Sequence, residues 1–448
     1  MLSPADNILF TRTAPQTAMG DVFRRFWIPA ALGKEVATKG DAPKRIRLLG
    51  EDLLICRHSD GQVMLTEPRC PHRGADLYWG RNEDCGLRCV YHGWKFRADG
   101  QCVDIPNMAA GSARDNLMAQ VKIRTYPTHE AGDLIWAYLG PGEPPPMHLF
   151  EFCEVPGNAR YVSKKLQECN WAQAVEGAID TAHFSFVHRN LPGSSVREVY
   201  EDDRAQWINN DGAPRYEILD HAAGMTLAGE RRANPGNSYW RIAQFLLPCH
   251  SLAPGAMPGE TFTGQSFVPI DDESCWIYTY AWNPQRSLTD DELQRYEDGR
   301  SVHAIVDEHY VPLRNRSNEY MIDRQLQKTG NFTGITGLSE QDAAIQDSQG
   351  RIADRRAEAL VPSDIGVVRF RQLMIGMARS LHAGDEPAVL QAALQSPDSY
   401  GLRSGGVVTR QGLSLEQAMI ERFGNRTGKG LIAESERGIN GTDQNGAV

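Results

Sequence analysis

The sequence lacks long hydrophobic runs and any excess of positive charge. Its longest apolar patches, such as GDLIWAYLG, are far shorter than a membrane-spanning helix requires, so we expect no membrane contact. The start of the chain has no basic segment followed by an apolar one, so we expect no signal peptide and a cytoplasmic location. The net charge is −10 at pH 7, whereas non-specific nucleic-acid binding requires a basic surface. We therefore expect no nucleic-acid partner.

Nucleotide-binding loops and a disulfide framework are also missing. Neither G-x-G-x-x-G after a strand nor G-x-x-x-x-G-K-[ST] occurs, so no loop of the usual kind would hold the phosphates of a flavin or nicotinamide. The nine cysteines are scattered between positions 56 and 275 rather than spaced as in a small secreted domain. This distribution favours reduced thiols and a single metal-binding cluster.

The chain is long enough for two domains, and its pattern of predicted secondary structure changes near residue 145. Residues 40–140 alternate short strand patterns with turns such as ADGQ, which predicts a small antiparallel β domain after a helical lead-in. The segment GPGEPPPM at 140–147 contains three consecutive prolines, which favour an extended linker. We therefore place the first domain at 1–150 and the second at 151–448.

The second domain mixes helical and strand patterns. Residues 212–283 return to strands, whereas TDDELQRYEDGRSVHAIVDEHYV, LSEQDAAIQD and SDIGVVRFRQLMIGMARSLHAG read as helices. The predicted class is therefore α+β, with a central antiparallel sheet flanked by helices. The last 25 residues are polar and Gly-rich, and we expect them to be frayed.

Two pairs of cysteine and histidine lie close together in the first domain. They are Cys70 with His72 and Cys89 with His92. Two thiolates and two imidazoles suit Zn²⁺, or a [2Fe–2S] cluster with Cys₂ on one iron and His₂ on the other. Unligated core cysteines are the remaining alternative. Gly74 and Gly93 would let backbone N–H groups approach bridging sulfides, and the strand-rich surroundings also favour iron and sulfide over zinc.

The segments CPHRGA and CVYHGW resemble the motif of the Rieske non-haem iron oxygenases. The stretches MGDVFRRFWIPA, RIRLLGED, RNEDCGLRCVYHGWKF and YMIDRQLQ resemble the terminal oxygenase component of the phthalate dioxygenase-like branch. The respiratory type of Rieske protein carries an extra cysteine in each loop, where Ala75 and Val90 stand here. The resemblance implies a Rieske cluster in the first domain and a catalytic iron in the second.

The segment NWAQAVEGAIDTAHFSFVH, residues 170–188, carries several polar side chains that could serve a second metal. On a helix, Glu176, Asp180 and His183 would share one face, whereas His188 would point in a different direction around the helix axis. Both histidines can reach one metal only if the helix bends or ends between them. Two histidines and a carboxylate with open positions form the facial triad of non-haem Fe(II) oxygenases. We also include Asn170 among the catalytic candidates.

The third ligand is open among the acidic residues Asp342, Asp347 and Glu340. A capping box of Ser339 and Asp342 is the structural alternative. The stretch FTGITGLSEQDAAIQDSQG resembles the phthalate branch, which implies Asp342 as the ligand.

The family pattern D-x-x-H-x-x-x-x-H fits Asp180, His183 and His188. The resemblance implies that the two histidines ligate iron. It also implies that Asp180 bridges to the second Rieske histidine, which maps to His92, of a neighbouring subunit in a homotrimer or stacked trimers. Such a carboxylate would orient ligand imidazoles.

These sites together predict an oxygenase that uses O₂ and receives electrons from NAD(P)H through a separate reductase. An aromatic acid needs a cation in its pocket, since an unpaired buried carboxylate is costly. The candidates in the predicted pocket sheet are Arg204, Arg232 and Arg241. The leading prediction is hydroxylation of an aromatic acid. O-demethylation of a methoxylated acid by the same iron is an alternative, and a Rieske electron-transfer or zinc-binding module is an alternative of another class.

Overall fold

The computed structural model describes residues 1–196, 199–200 and 202–424. Two compact units divide the chain: residues 13–145 with 269–271, and residues 1–12 with 146–268 and the chain from 272 onward. From residue 425 on, the tail that we expected to be frayed lies outside the described residues. No helix in the described part has the length and apolar character that crossing a membrane requires.

Polar side chains cap the helices where the sequence turns from strand or loop into helix. Ser3, Asn170 and Thr289 each accept the backbone N–H of a residue two or three positions further on, which satisfies a first-turn donor. The α-helices are α1 (Pro4–Thr11), α2 (Ala18–Phe23), α3 (Ser112–Gln120), α4 (Trp171–Ile179), α5 (Asp203–Asn210), α6 (Asp290–Glu297), α7 (Arg324–Thr329), α8 (Leu338–Ser348), α9 (Ile365–His382), α10 (Ala388–Gln395) and α11 (Leu415–Phe423).

The strands are short in the first unit and longer in the second. They are β1 (Trp27–Leu32), β2 (Lys44–Leu48), β3 (Glu51–Arg57), β4 (Val63–Thr66), β5 (Arg81–Glu83), β6 (Gly86–Arg88), β7 (Lys95–Phe96), β8 (Cys102–Asp104), β9 (Thr125–Tyr126), β10 (Thr128–Ala131), β11 (Leu134–Tyr138), β12 (Arg160–Gln167), β13 (Arg215–His221), β14 (Gly224–Arg232), β15 (Asn237–Leu246), β16 (His250–Leu252), β17 (Phe262–Pro269), β18 (Cys275–Trp282) and β19 (Gly405–Arg410).

The first unit is built from small antiparallel sheets, which confirms the predicted β domain. The strand orders are β2-β3-β4-β9, β5-β6-β7-β8 and β1-β11-β10. Leu54, Leu87 and Phe96 are buried together in its core, with Cys70 and Cys89 in the same cluster. The two predicted metal-binding loops therefore follow β4 and β6 and point their cysteines into a packed interior.

The second unit is organised on one large sheet in the order β12-β18-β17-β16-β15-β14-β13, with β19 paired to β15. Its strand pairs are antiparallel wherever the register is described. Helix α9 packs on this sheet through Phe370, whose ring centroid lies 4.8 Å from that of Phe245. This arrangement confirms the predicted α+β class with a central antiparallel sheet flanked by helices.

The first helix belongs to the second unit, not to the first domain where we placed it. The ring of Phe10 lies 5.6 Å from that of Trp171 in α4 and 5.5 Å from that of Phe370 in α9. The pattern of a short amphipathic helix shows that it has an apolar face. It does not show which of two cores receives that face.

The helix predicted from Thr289 to Val311 is wrong over most of its length. Helix α6 ends at Glu297, and Gly299 adopts a positive φ of 64°, a backbone conformation that favours glycine and stops a helix. Beyond it, Val306 forms an isolated β-bridge with Pro312. The glycine in EDGR was the signal for this boundary.

Candidate active site

The two cysteine–histidine loops of the first unit share one backbone design. The carbonyl of Cys70 accepts the N–H of Gly74 at 2.8 Å, and the carbonyl of Cys89 accepts the N–H of Gly93 at 2.9 Å. Both glycines have positive φ, 71° and 78°. A side chain on Gly93 would also meet Pro106, since a Cβ there would lie 2.5 Å from its Cγ. Each loop is thus a tight turn that begins at a cysteine, contains a histidine and ends at a glycine.

The side chains of these loops lie close together, as a metal site with two thiolate and two imidazole ligands requires. The cysteines are only 2% and 3% exposed, and the ring centroids of His72 and His92 lie 4.6 Å apart. Burial raises the pKa of Cys70 to about 11, and the adjacent Cys89 thiol adds to the rise. A thiol such as Cys70, whose ionisation is opposed by burial and by a neighbouring thiol, is suited to binding a cation, since a bound metal removes the penalty. The four residues therefore fit a [2Fe–2S] cluster of the Cys₂His₂ type.

His183, His188 and Asp342 converge at a second site. The Asp342 Oδ1 atom lies 3.5 Å from His183 Nε2 and 3.1 Å from His188 Nε2, and one potential ligand atom from each residue lies within 4.8 Å of the others. Helix α4 ends at Ile179, and a separate 3₁₀ turn begins at His183. The helix is therefore interrupted between α4 and His188, as it must be if both histidines are to face one metal.

The electrostatic field of this site favours a cation. Burial lowers the pKa of His183, but the Asp180 and Asp342 carboxylates raise it by more, so its net pKa lies above the usual value. Burial raises the pKa of Asp342, but His188 and His183 lower it by more. The carboxylates that favour a positive charge at His183 also favour a divalent metal ion, and Asp342 in its ionised form is an anionic oxygen ligand, so the donor set fits Fe(II).

The other acidic candidates for the third ligand lie elsewhere. Asp347 accepts a hydrogen bond from the Tyr320 hydroxyl, and Glu340 is buried outside the converging group of ligand atoms, with its pKa raised to about 7 chiefly by burial. Helix α8 begins after Gly337 without a side-chain cap, so the capping alternative for Asp342 is not observed.

A polar side chain faces Nδ1 of each imidazole and favours one orientation of the ring. His183 Nδ1 lies 3.4 Å from Asp180 Oδ2, and His188 Nδ1 lies 2.7 Å from Gln341 Oε1. The Gln341 amide donates in turn to the Ile335 carbonyl at 2.9 Å, so its oxygen faces His188. With Nδ1 carrying the proton, Nε2 of each ring is free to bind a metal. The sequence analysis missed Gln341.

Gln341→Leu should weaken binding of Fe(II) by about 10–100-fold, because an outer partner of a ligand histidine is lost. The measurement is Fe(II) titration of chelator-treated protein, with the visible spectrum of the Rieske cluster as a check on the fold. Gln346→Leu is the matched control, since Gln346 lies on the same helix and bonds Gln167 instead. Equal Fe(II) affinity in both variants would contradict the role given to Gln341.

Asp180 is held as an ionised carboxylate. It accepts the N–H of Ala182 at 2.7 Å and of His183 at 3.2 Å, and the hydroxyl of Tyr216 in β13 at 3.1 Å. Burial raises its pKa, but these hydrogen bonds and the His183 imidazole lower it by more. Its side chain stays 25% exposed, so an edge of the carboxylate is open to a further donor. Tyr216 is a second residue that the sequence analysis missed.

The structure gives Asn170 a structural role, so its prediction as a catalytic residue is wrong. Its side chain is 0% exposed and caps helix α4 by accepting the N–H of Ala172. The amide nitrogen donates to the carbonyls of Thr11 at 2.9 Å and Asp272 at 2.8 Å. A fully buried side chain whose two N–H donors are both committed to the backbone has no donor left for a substrate.

A cavity of about 960 Å³ opens beside the two histidines and Asp342, which line it together with Arg241. Arg241 on β15 is 2% exposed; its Nε donates to Thr181 Oγ1 at 2.9 Å and its Nη1 to the Tyr200 hydroxyl at 3.0 Å. Its guanidinium carbon lies 4.2 Å from the Phe184 ring centroid. Among the described residues, no carboxylate is bonded to it.

The predicted roles of Arg204 and Arg232 as substrate ligands do not agree with their surroundings. Arg232 is exposed and does not belong to the lining of the cavity. Arg204 does line the cavity, but its guanidinium is bonded to the carboxylates of Asp202 and Glu260. The strand pattern could place all three arginines near the sheet, but only the packing decided which of them has a carboxylate partner.

A family model for the Rieske [2Fe-2S] domain matches residues 26–127, and a model described as LigXa C-terminal domain like matches residues 137–412. The chain therefore belongs to the Rieske-type ring-hydroxylating oxygenases and carries a Rieske [2Fe–2S] domain. Within this family it is a terminal oxygenase component of the phthalate dioxygenase-like branch. The resemblance read from the sequence motifs is confirmed.

Two curated relatives support this assignment over nearly the whole chain. The phthalate 4,5-dioxygenase oxygenase subunit of Pseudomonas putida is 37% identical over 86% of this chain and 88% of its own. The 3-chlorobenzoate-3,4-dioxygenase oxygenase subunit of Comamonas testosteroni is 34% identical over 93% of this chain and 98% of its own. A crystal structure of dicamba monooxygenase, 20% identical, covers 81% of this chain and 99% of its own with a TM-score of 0.55, which shows a shared fold.

Proposed function

We propose that this protein hydroxylates an aromatic carboxylic acid, with a mononuclear ferrous ion held by His183, His188 and Asp342. The observation that carries the proposal is the convergence of these three side chains beside a cavity that contains a buried arginine. The names of the two relatives, a phthalate and a chlorobenzoate dioxygenase subunit, support an aromatic acid as the substrate class.

The bound ferrous ion would supply open positions for O₂, and the Rieske cluster would supply single electrons. The residues of the chain position the substrate and orient the side chains that bind the metal. Arg241 donates to the substrate carboxylate, and its stacking on Phe184 fixes the plane of the guanidinium. Asp180 and Gln341 hold the two imidazoles with Nε2 toward the metal.

Electron supply requires partners that this chain does not provide. We propose a separate flavin or iron–sulfur reductase that draws on NAD(P)H, and a homotrimer or stacked trimers in which Asp180 accepts a hydrogen bond from His92 of the partner subunit. Exposed apolar side chains beside the Rieske loops support a docking surface there, since Trp79 is 68% and Tyr91 54% exposed.

Metal and sulfide analysis of the purified protein tests the proposal. An oxygenase of this kind should hold about three irons per chain, two with acid-labile sulfide and one removable by a chelator. With a reductase, NAD(P)H, O₂ and a panel of aromatic acids, a hydroxylated acid or a cis-diol should form. Zinc without sulfide, or iron without any product from any acid, would refute it.

Arg241→Ala should raise KM for an aromatic acid by roughly 100-fold, because the buried carboxylate loses its charge partner. The neutral amide of the same acid should be affected far less, since it makes no ion pair. Steady-state kinetics with acid and amide measure the difference. Arg295→Ala is the control, because this cavity-lining arginine already pairs with Asp291. An unchanged KM for the acid would remove Arg241 from the substrate site.

A further inference from the structure

Helix α8 carries two side chains of the metal site near its start, Asp342 and the Gln341 that faces His188. The helix begins after Gly337, and among the described residues no side chain caps its first turn. A side-chain cap would fix the start of a helix. Without one, the position of Asp342 and Gln341 depends on contacts made further along the helix.

Tyr320 contacts helix α8 at two points. Its hydroxyl donates to the carboxylate of Asp347, near the end of the helix. Its ring belongs to a buried cluster with Ile335 and with Ala343, the residue that directly follows Asp342. Tyr320 is 7% exposed and Asp347 2%, so the hydrogen bond lies in the protein interior. Tyr320 therefore holds the helix by a polar contact at one end and an apolar contact beside the ligand.

The same cluster also reaches the partner of the second histidine. The Ile335 carbonyl accepts the amide N–H of Gln341 at 2.9 Å, and the oxygen of that amide lies 2.7 Å from His188 Nδ1. Because the ring of Tyr320 packs with Ile335, a shift of this ring would displace the acceptor that orients Gln341.

The backbone around Tyr320 adopts an unfavourable conformation. Glu319, Tyr320 and Met321 have positive φ values of 50°, 55° and 51°. Residues other than glycine keep such angles only where their surroundings determine them. Here the N–H of Tyr320 donates to the Asn315 carbonyl at 2.9 Å, and Asn315 Oδ1 accepts the N–H of Ser317 at 2.9 Å. The turn directs Tyr320 into the interior, whereas the next side chain, Met321, is 54% exposed.

We infer that Tyr320 and Asp347 are positioning residues of the mononuclear metal site. Their hydrogen bond and the packing of the ring hold α8 where Asp342 and Gln341 meet His188. Asp347, one of the candidate ligands in the sequence, thus serves the metal through the helix and not by direct contact. This rests on the proposed function, because it assumes that a ferrous ion binds to the two histidines and Asp342.

Tyr320→Phe keeps the ring and removes only the hydroxyl. It should raise the dissociation constant for Fe(II) by about tenfold, the lower end of the effect of an outer partner, because Tyr320 acts on the ligand through the helix. The measurement is Fe(II) titration of chelator-treated protein whose Rieske cluster is intact. The EPR line shape of the nitric oxide adduct, recorded with the Rieske cluster oxidised, should also change, since it reports the arrangement of the metal ligands.

Variants of Asp347 test the hydrogen bond from the side of the helix. Asp347→Leu removes the acceptor and should weaken Fe(II) binding as Tyr320→Phe does. The double variant should bind no more weakly than either single one, because both changes remove the same bond. Asp347→Asn keeps an oxygen that can accept the hydroxyl, and it should retain a dissociation constant near that of the wild-type protein.

Tyr126→Phe is the matched control. Tyr126 lies in the first unit, is also 7% exposed, and its hydroxyl donates to Glu51 Oε2 at 2.7 Å. Its replacement removes the same kind of buried hydrogen bond away from α8. The dissociation constant for Fe(II) and the EPR line shape should therefore stay those of the wild-type protein.

The outcomes separate the positioning role from the proposed function. Wild-type Fe(II) affinity and line shape in Tyr320→Phe, or an equal change in Tyr126→Phe, would overturn the role of Tyr320 and leave an oxygenase standing. Additive losses in the double variant would overturn the role of its bond to Asp347. If Tyr320→Phe does not fold, Asp347→Leu against Asp347→Asn decides the same question. If the wild-type protein holds no chelatable iron, the proposed function falls, and the positioning role falls with it.

Discussion

His183→Ala should abolish turnover, with a loss of at least about a thousandfold, because even an outer partner of a metal ligand contributes 10–100-fold. The variant removes one of three side chains that converge within 4.8 Å, and the two that remain cannot form a facial triad. Chelator-accessible iron should fall from about one per chain to near zero, while the two irons and the labile sulfide of the Rieske cluster remain. Iron analysis and the visible spectrum measure both quantities.

The control for this variant is His309→Ala, in which an exposed histidine outside the site is replaced. It should keep both the iron content and the activity of the wild-type protein. Full loading with chelatable iron in the His183 variant would show that the metal lies elsewhere. Loss of the Rieske spectrum would instead show that the variant is misfolded, and Asp342→Ala would then provide the same test from helix α8.

Asp180→Asn should slow reoxidation of the reduced Rieske cluster by O₂ in the presence of substrate by at least about a hundredfold, the upper range for a ligand's outer partner. Asparagine is isosteric, and with its oxygen in the place of Oδ1 it can still accept the N–H of Ala182 and the hydroxyl of Tyr216, so both metals should remain bound. What it loses is the charge that holds His183 and that could accept a hydrogen bond from His92 of the partner subunit. Single-turnover kinetics followed at the visible band of the cluster measure the rate.

Tyr216→Phe supplies the graded comparison for Asp180. It keeps the carboxylate and removes only the hydroxyl donor that lies 3.1 Å from Asp180 Oδ1, so its effect should be smaller than that of Asp180→Asn. A wild-type reoxidation rate in Asp180→Asn, with iron fully loaded, would show that electrons reach the mononuclear site by a route that does not involve this carboxylate.

Features that depend on a few neighbouring residues were predictable from the sequence. The spacing C-x-H and C-x-x-H, each followed by a glycine, defines two tight turns whose hydrogen bonds close within the loop itself. The antiparallel sheets follow from alternating strand patterns and turns, which are also local. The D-x-x-H-x-x-x-x-H pattern placed two imidazoles within reach of one another, although the end of helix α4 at Ile179 had to be left open.

Features that depend on distant neighbours were not predictable in this way. Asn170 sits beside the histidine segment in sequence, but contacts with Thr11 and Asp272 give it a structural role. Gln341 and Tyr216 became recognisable as partners of His188 and Asp180 only when α8 and β13 were placed. A single sequence carries no signal for such pairs, because each residue type is common and the partner is far away in the chain.

By itself, therefore, the sequence determined the family and the order of the two domains, and it predicted candidate ligands for two metal sites, because short motifs with fixed spacing carry this information. The tertiary structure alone decided which of the candidate arginines lines the cavity without a carboxylate bonded to it among the described residues. Arg204, Arg232 and Arg241 are equivalent as residues, and their difference lies in burial and in the carboxylates packed against them. Charge in a folded protein is set by pairing and solvent access, and both are properties of the packed chain.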